Sequence, residues 1–344
     1  MRIGIDAMGG DAAPREIVRG VLEVLPSVNG HEVVLVGIED VVHREIERCC
    51  GGSGRNLASY EGLRVVHASQ VIGMDEVPVE AVRQKKDSSI CRLTKMVADG
   101  ELDAVISAGN TGAFAAASQL RMKLLPGVSR PGVAVVLPSF MGPIILCDAG
   151  ANLTPKLHHL MQYAIMASAY AKYVLKVERP RVGLLSVGEE DLKGTTLVKQ
   201  AHELLRVSDR VNFVGNVEGR DLFRGSCDVV ICDGFVGNIA LKLTEGLAEG
   251  LFKTISKELA LASPELAKSF EPVVKRVWAN HDYAEYGGAP LLGVDGACII
   301  CHGSSSHVAI RNAVRVATEY LENKLNSIIA AELADEPATS AANS

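Results

Sequence analysis

A layered α/β fold with a mostly parallel sheet is predicted by three features of the sequence. Short apolar runs recur, each ending in a glycine-containing polar turn and then a segment of helical periodicity, the order expected of βα units. Six such junctions occur, at residues 3–11, 105–112, 145–152, 184–194, 229–238 and 299–306. Finally, 344 residues with 48% hydrophobic and 22% charged side chains are enough for a sizeable core.

The elements follow in chain order. Ile3-Gly4-Ile5 reads as the first strand and Asp6 to Asp11 as its turn, where Gly9 and Gly10 permit close approach of backbone to a ligand. Helices are expected over Pro14 to Leu25 and Ser88 to Ala98, then a strand at Val105-Ile106 whose turn, Asn110-Thr111-Gly112, opens a helix reaching Lys123. Gly132 to Leu137 and Pro143 to Leu146 are apolar but far short of the roughly 20 residues of a membrane span. Asp148 to Asn152 leads into a helix over Pro155 to Leu175, and Leu184-Leu185 runs through Glu189-Glu190-Asp191-Leu192-Lys193 into a helix over Gly194 to Arg206. After Val229 to Cys232, two helices succeed each other, Gly237 to Ala262 and Pro264 to His281. With no strand between them they form a helical hairpin, about residues 237–281, projecting from the α/β body. Ile299-Ile300 ends at His302-Gly303-Ser304, and a helix runs from Ser304 to Leu333. Residues 1–334 thus read as one α/β domain and 335–344, rich in small and polar residues, as a flexible tail.

In open α/β sheets ligands bind outside the carboxyl ends of strands, where helix N-termini present amide donors to anions. The candidates for substrate binding are Asp6, Gly9, Gly10, Asp11, Asn110, Thr111, Gly112, Asn152, Gly237 and His302; His302 could reach the same sheet edge as the other junctions or be a satisfied core histidine. Asn110 and Asn238 offer polar side chains just at helix starts, where asparagine also serves as a cap. Lys193 stands at a helix start, where a cation gains nothing from the dipole; a bound phosphate would change that, and a solvated surface position is the alternative.

Several classes are disfavoured. The dinucleotide, P-loop and H-E-x-x-H motifs are absent, and Ser186 has the wrong spacing for a nucleophile elbow. Cys298-Ile299-Ile300-Cys301-His302 matches a haem-attachment pattern, but Cys298 and Cys301 would face opposite sides of a strand, so core packing is favoured and no metal is expected. Asp6 interrupts any N-terminal signal-like apolar run, and eight dilute cysteines read as reduced, which predicts a cytoplasmic enzyme. A net charge of −6 argues against nucleic acid.

The segments Asp6-Ala7-Met8-Gly9-Gly10-Asp11, Ile106 to Ala113, Asp148 to Asn152, Gly188 to Gly194, Asn212 to Glu218, Asp233 to Asn238, Tyr286 to Ala289 and His302 to Ser305 together resemble the PlsX family of bacterial phosphate acyltransferases. The resemblance implies reversible transfer of a long-chain fatty acyl group from acyl carrier protein to inorganic phosphate, forming acyl phosphate for a membrane-bound acyl phosphate:glycerol-3-phosphate acyltransferase of phospholipid synthesis. It implies a Rossmann-like three-layer fold similar to isopropylmalate dehydrogenases and phosphotransacetylases, a homodimer, peripheral attachment to the inner membrane face, no organic cofactor, and Lys193 and Asn238 as catalytic residues. A phosphotransacetylase-type enzyme using acyl-CoA is the competing expectation. No acyl-enzyme is needed, since phosphate is itself the nucleophile.

Two surface expectations complete the reading. Arg83, Lys85 and Lys86, with Arg121 and Lys123, are candidate contacts for an acidic carrier protein. Leu247, Leu251, Ile255 and Leu259 on the first hairpin helix, and Phe270, Val273, Val274 and Val277 on the second, form apolar stripes suited to a twofold partner, with an apolar tip at Leu259 to Ala262 suited to lipid.

Overall fold

A computed structural model describes residues 1–28, 30–50, 57–281 and 286–334. Its first part alternates β1 (Arg2–Asp6), α1 (Arg15–Val24), β2 (Glu32–Gly37), α2 (Glu39–Cys49), β3 (Leu63–His67), α3 (Pro78–Gln84), α4 (Ser89–Ala98), β4 (Ala104–Ser107) and α5 (Thr111–Arg121). A hairpin of β5 (Gly132–Ser139) and β6 (Gly142–Cys147) follows, then α6 (Leu157–Tyr173), β7 (Arg181–Leu185), α7 (Thr196–Val207), β8 (Asn212–Val217) and β9 (Val229–Ile231). The chain ends with α8 (Gly234–Ala262), α9 (Pro264–His281), β10 (Ala289–Leu292), β11 (Ala297–Ile300), α10 (His307–Glu322) and α11 (Leu325–Ala334). Among the described residues the strands form one sheet, in the order β3-β2-β1-β4-β11-β10-β5-β6-β9-β7-β8.

Residues alternate between its faces: Val33 and Leu35 join one buried cluster with Ile299 and Cys301, while Val34 and Val36 join another with Cys298 and Ile300. Cys298 and Cys301 therefore lie on opposite faces, and burial pushes both thiols up to about 12.

The expectation that all six junctions gather at one sheet edge is corrected. β3, β2, β1, β4 and β11 are mutually parallel, as are β6, β9, β7 and β8. Three antiparallel pairings separate them, β11 with β10, β10 with β5 and β5 with β6, so the two blocks run in opposite directions. The reversal comes from the β5–β6 hairpin, a short connection that an all-parallel sheet would not contain. Both blocks use the same lock at the strand start. Arg2 donates its backbone N–H and two guanidinium N–H groups to Asp103, and Arg181 does the same to Asp228. The Arg2 guanidinium holds the Asp103 carboxyl below the usual range.

Further differences concern helices. The single helix expected over Ser304 to Leu333 is two, broken at Lys324 (φ 50°), where Asn323 turns its amide back onto the Glu319 carbonyl. Helices α2 and α3 were not expected. The hairpin is present: α8 has only Gly234 and Gly237 buried, while Leu243, Leu247, Leu251, Phe270, Val273 and Val277 are exposed. Residues 335–344, expected to be a flexible tail, lie outside the described residues.

Candidate active site

The turns after β1, β4 and β11 interlock. Asp6, buried, accepts hydrogen bonds from Met8 N–H (3.0 Å) and Ser107 Oγ–H (2.7 Å), and Ser107 Oγ in turn accepts from Gly109 N–H. Burial pushes the Asp6 carboxyl above its ordinary value, against these donors. A Cβ at Gly9 would lie 2.6 Å from both Asp6 Oδ2 and Gly109 N, so glycine alone lets the two turns touch there. Gly10 takes φ +103°, and Asp11 N–H donates to Gly303 O (2.8 Å), tying the β1 turn to the β11 turn.

Asn110 caps α5 through Oδ1, which accepts from Ala113 N–H, and donates from Nδ2 to the carbonyls of Gly73, Met74 and Glu76. Its side chain thus holds a neighbouring loop as well as a helix start. Gly112 follows in the first turn of α5, packed beneath Pro78, and Thr111 is exposed beside it.

A second knot forms after β6. Asp148, fully buried, accepts N–H bonds from Val133, Gly150, Ala151 and Asn152, while burial raises its carboxyl above the usual range. Asn152 donates to Pro131 O and to the Tyr163 hydroxyl, and its carbonyl accepts from Gly234 N–H at the start of α8. Asp233 caps that helix through Val236 N–H (2.9 Å). One turn in, Gly237 rests on the knot, where an added Cβ would lie 2.0 Å from Asp148 O.

This seat places the first turns of α8 beside a cavity of about 120 Å³. Thr111, Asn238 and His302 all line this cavity, so residues from both blocks meet here. Its floor is apolar, with Val133, Val135, Ala149 and Ile300. Lys242, Glu245 and Tyr286 also line it and were missed in the sequence. Lys242 Nζ lies 2.6 Å from His302 Nε2 and 2.8 Å from Glu245 Oε2. The signal for two of them was available, because Asn238, Lys242 and Glu245 are spaced i, i+4, i+7 and share a helix face.

Lys193 is not among the cavity's lining residues. It is exposed on the loop between β7 and α7, with its Cγ and Cδ folded over Gly188. That loop is shaped by Asn216, which donates to Glu190 O (2.9 Å) and bonds His202 Nδ1 (3.0 Å). Leu197, in the first turn of α7, shares a shallow groove with Leu153, Pro155, Phe235 and Val236. The apolar side chains of Val187 and Leu192, each 81% exposed, precede Lys193 on its loop. Among the described residues no group of three metal-ligating side chains is present.

Comparison with known proteins gives the family. Residues 1–328 match the family described as fatty acid synthesis protein. The chain is 49% identical over 329 residues to a phosphate acyltransferase of Pelotomaculum thermopropionicum, covering 94% of this chain and 93% of that one. It is 46% identical over 338 residues to a phosphate acyltransferase of Halothermothrix orenii, covering 97% and 98%. Among solved structures it is similar to a phosphotransacetylase of Streptococcus pyogenes (TM-score 0.61, 16% identity, 94% of each chain) and to a branched-chain phosphotransacylase of Enterococcus faecalis (TM-score 0.56, 15% identity, 93% and 98%), likenesses that speak to the fold. The chain belongs to the phosphate acyltransferase family and is an enzyme of that type.

Proposed function

We propose that the enzyme transfers a long-chain fatty acyl group, reversibly, from the thioester of acyl carrier protein to inorganic phosphate, and that the acyl phosphate formed feeds phospholipid synthesis through a membrane-bound acyltransferase. The observation that carries this reading is the cavity beside α8, lined by apolar Val133, Val135, Ala149 and Ile300 and by the polar groups of Asn238, Lys242 and His302. Apolar walls suit an acyl chain, and the polar group suits a phosphate and a developing oxyanion. The test is incubation of the purified protein with phosphate and either palmitoyl acyl carrier protein or palmitoyl-CoA. Acyl phosphate formed efficiently from the carrier protein alone is the expected result; equal efficiency with CoA would replace this donor by the phosphotransacetylase-type one.

Of the basic residues considered for the carrier, Lys85 bonds Val71 O and Glu76, whereas Arg83 and Lys86 are exposed. The docking surface is therefore better sought around Arg83 and Lys86 than at Lys85.

A homodimer that works in the cytoplasm against the inner membrane face fits the same reading. Phe235, Ile239, Leu243, Leu247, Leu251 and Ile255 form an unbroken i, i+4 stripe, each at least 39% exposed. Such a stripe is larger than a monomer ordinarily leaves in water, and a twofold copy would cover it. At the hairpin tip Leu261 is 70% exposed, and no described helix is long and apolar enough to cross a membrane. Replacing both Leu247 and Leu251 by Glu is expected to yield monomers in sedimentation. Leu261→Glu is expected to keep the dimer and lose flotation with anionic vesicles. A double variant that stays dimeric, or a Leu261 variant that still floats, contradicts the corresponding assignment.

A further inference from the structure

The loop after β6 and the first turns of α8 build two openings. One is the cavity beside α8, to which they contribute Ala149, Asn238 and Leu241. The other is the shallow groove, of about 460 Å³, lined mainly by apolar side chains: Leu153, Pro155, Phe235 and Val236 from the same two segments, and Leu197 from α7. Phe235 and Asn238 are three residues apart on α8 and so are neighbours on its surface, which makes the two openings adjoin. Asp233, the charged residue of the groove, is engaged in capping, its carboxylate accepting Val236 N–H at 2.9 Å. Leu197 follows Lys193 by four residues, so the α7 side of the groove begins where the Lys193 loop ends. Size separates the two openings. The cavity, at about 120 Å³, is well below the roughly 300–1,000 Å³ of pockets that enclose a drug-sized ligand, and the groove falls within that range. Leu153 and Phe235 are each more than half exposed, apolar surface that a hydrocarbon chain in the groove would remove from water.

We propose that this groove binds the distal part of the acyl chain and that Leu153, Leu197, Phe235 and Val236 set which chain lengths are accepted, an assignment that rests on the acyl-transfer reading above. The carbonyl end lies towards Lys193 and Asn238 and the far methylenes lie in the groove. Its place in the fold favours this occupant. The groove opens beyond the carboxyl ends of the parallel strands β6, β9 and β7, the side on which such sheets hold small ligands. Its neighbour Lys193 offers a point charge to the anionic end of the reaction, while the groove itself offers a chain little but apolar contact. Walls of this kind discriminate by length and shape, because an added methylene changes only the apolar area buried.

The test is the chain-length profile of kcat/KM, measured on the full-length protein with octanoyl, dodecanoyl and hexadecanoyl acyl carrier protein at fixed phosphate. Each methylene buried in the groove is expected to raise kcat/KM by up to about fourfold, mostly through KM, because the distal chain is bound alike before and during the reaction. Phe235→Ala removes one wall and Leu153→Trp takes up space. Each is expected to lower kcat/KM for the hexadecanoyl substrate about tenfold and to leave the octanoyl value within about threefold. Both positions are exposed, so the variants are expected to keep the wild-type unfolding midpoint, and a merely structural defect would lower all three substrates together. A flat wild-type profile, or a profile unmoved in both folded variants, overturns the assignment. Variants that turn monomeric in sedimentation, or lose flotation with anionic vesicles, while the profile stays unmoved give the groove to a twofold copy or to lipid and overturn it equally. Failure of the unaltered enzyme to make acyl phosphate from any of the three thioesters overturns instead the acyl-transfer reading beneath it.

Discussion

Gly237→Ala is expected to abolish acyl transfer and to lower the melting temperature by about 4 °C. The added methyl would sit 2.0 Å from Asp148 O and 2.9 Å from Cys232 Sγ, far inside contact distance, and the obstructing oxygen is backbone fixed in the buried Asp148 knot. Relief requires the first turns of α8 to lift, at a cost of about 3 kcal/mol by analogy with overpacked cores. That same displacement carries away Asn238, Leu241 and Lys242, which form one wall of the cavity. Thermal unfolding and turnover should therefore fall together. A soluble variant with unchanged midpoint and rate would show that the α8 seat tolerates a side chain and that its close approach is unimportant.

Lys193→Ala is expected to behave in the opposite way, with turnover down at least about a hundredfold and stability unchanged. The side chain is exposed and folds over Gly188, so its removal disturbs little of the core. Val187 and Leu192, earlier on the same loop, are 81% exposed, and the loop is braced by Asn216 and His202. A braced, exposed cation is the arrangement expected of a group that meets a bound anion. Single-turnover formation of acyl phosphate, measured beside thermal unfolding, separates the two readings of this residue: a normal rate would leave Lys193 as a solvated surface charge.

The βα junctions were legible because their signals are local: a run of β-branched residues, a glycine turn and a cap are all written within about ten residues. Direction within the sheet was not. Nothing in the run from Gly132 to Cys147 announces that it is a hairpin reversing the sheet, since Ser139-Phe140-Met141-Gly142 lacks the usual turn pairs and both strands are continuously apolar. The roles of the polar turn residues divided for the same reason. Asn110 and Asn152 read in sequence as groups aimed at a ligand, yet their side chains are engaged by loops distant in the chain, contacts that only the assembled fold creates. Lys242 and Glu245 were hidden differently, on the polar face of a helix whose apolar stripe drew the eye. Their partner His302 lies 60 residues away from Lys242, beyond any local pattern.

The position of β10 and β11 bears on how the chain is made. These strands occupy the middle of the sheet, between β4 and β5, but they are encoded near the end, at residues 289–300. About 190 residues separate Ser107 from the strand that pairs with β4. At ordinary synthesis rates of about 5–20 residues per second, the β1–β4 block emerges roughly 10–40 s before its missing neighbour. Once β9 has been made, at residue 231, two half-sheets await the strands that join them, each with an inner edge of unpaired amides and carbonyls, the kind of surface through which nascent chains associate wrongly. Two four-residue strands then clasp the halves into a continuous sheet, and only at that step do Thr111, Asn238 and His302 come to face one another. Vectorial synthesis thus delays assembly of the cavity beside α8 until nearly the whole chain is available.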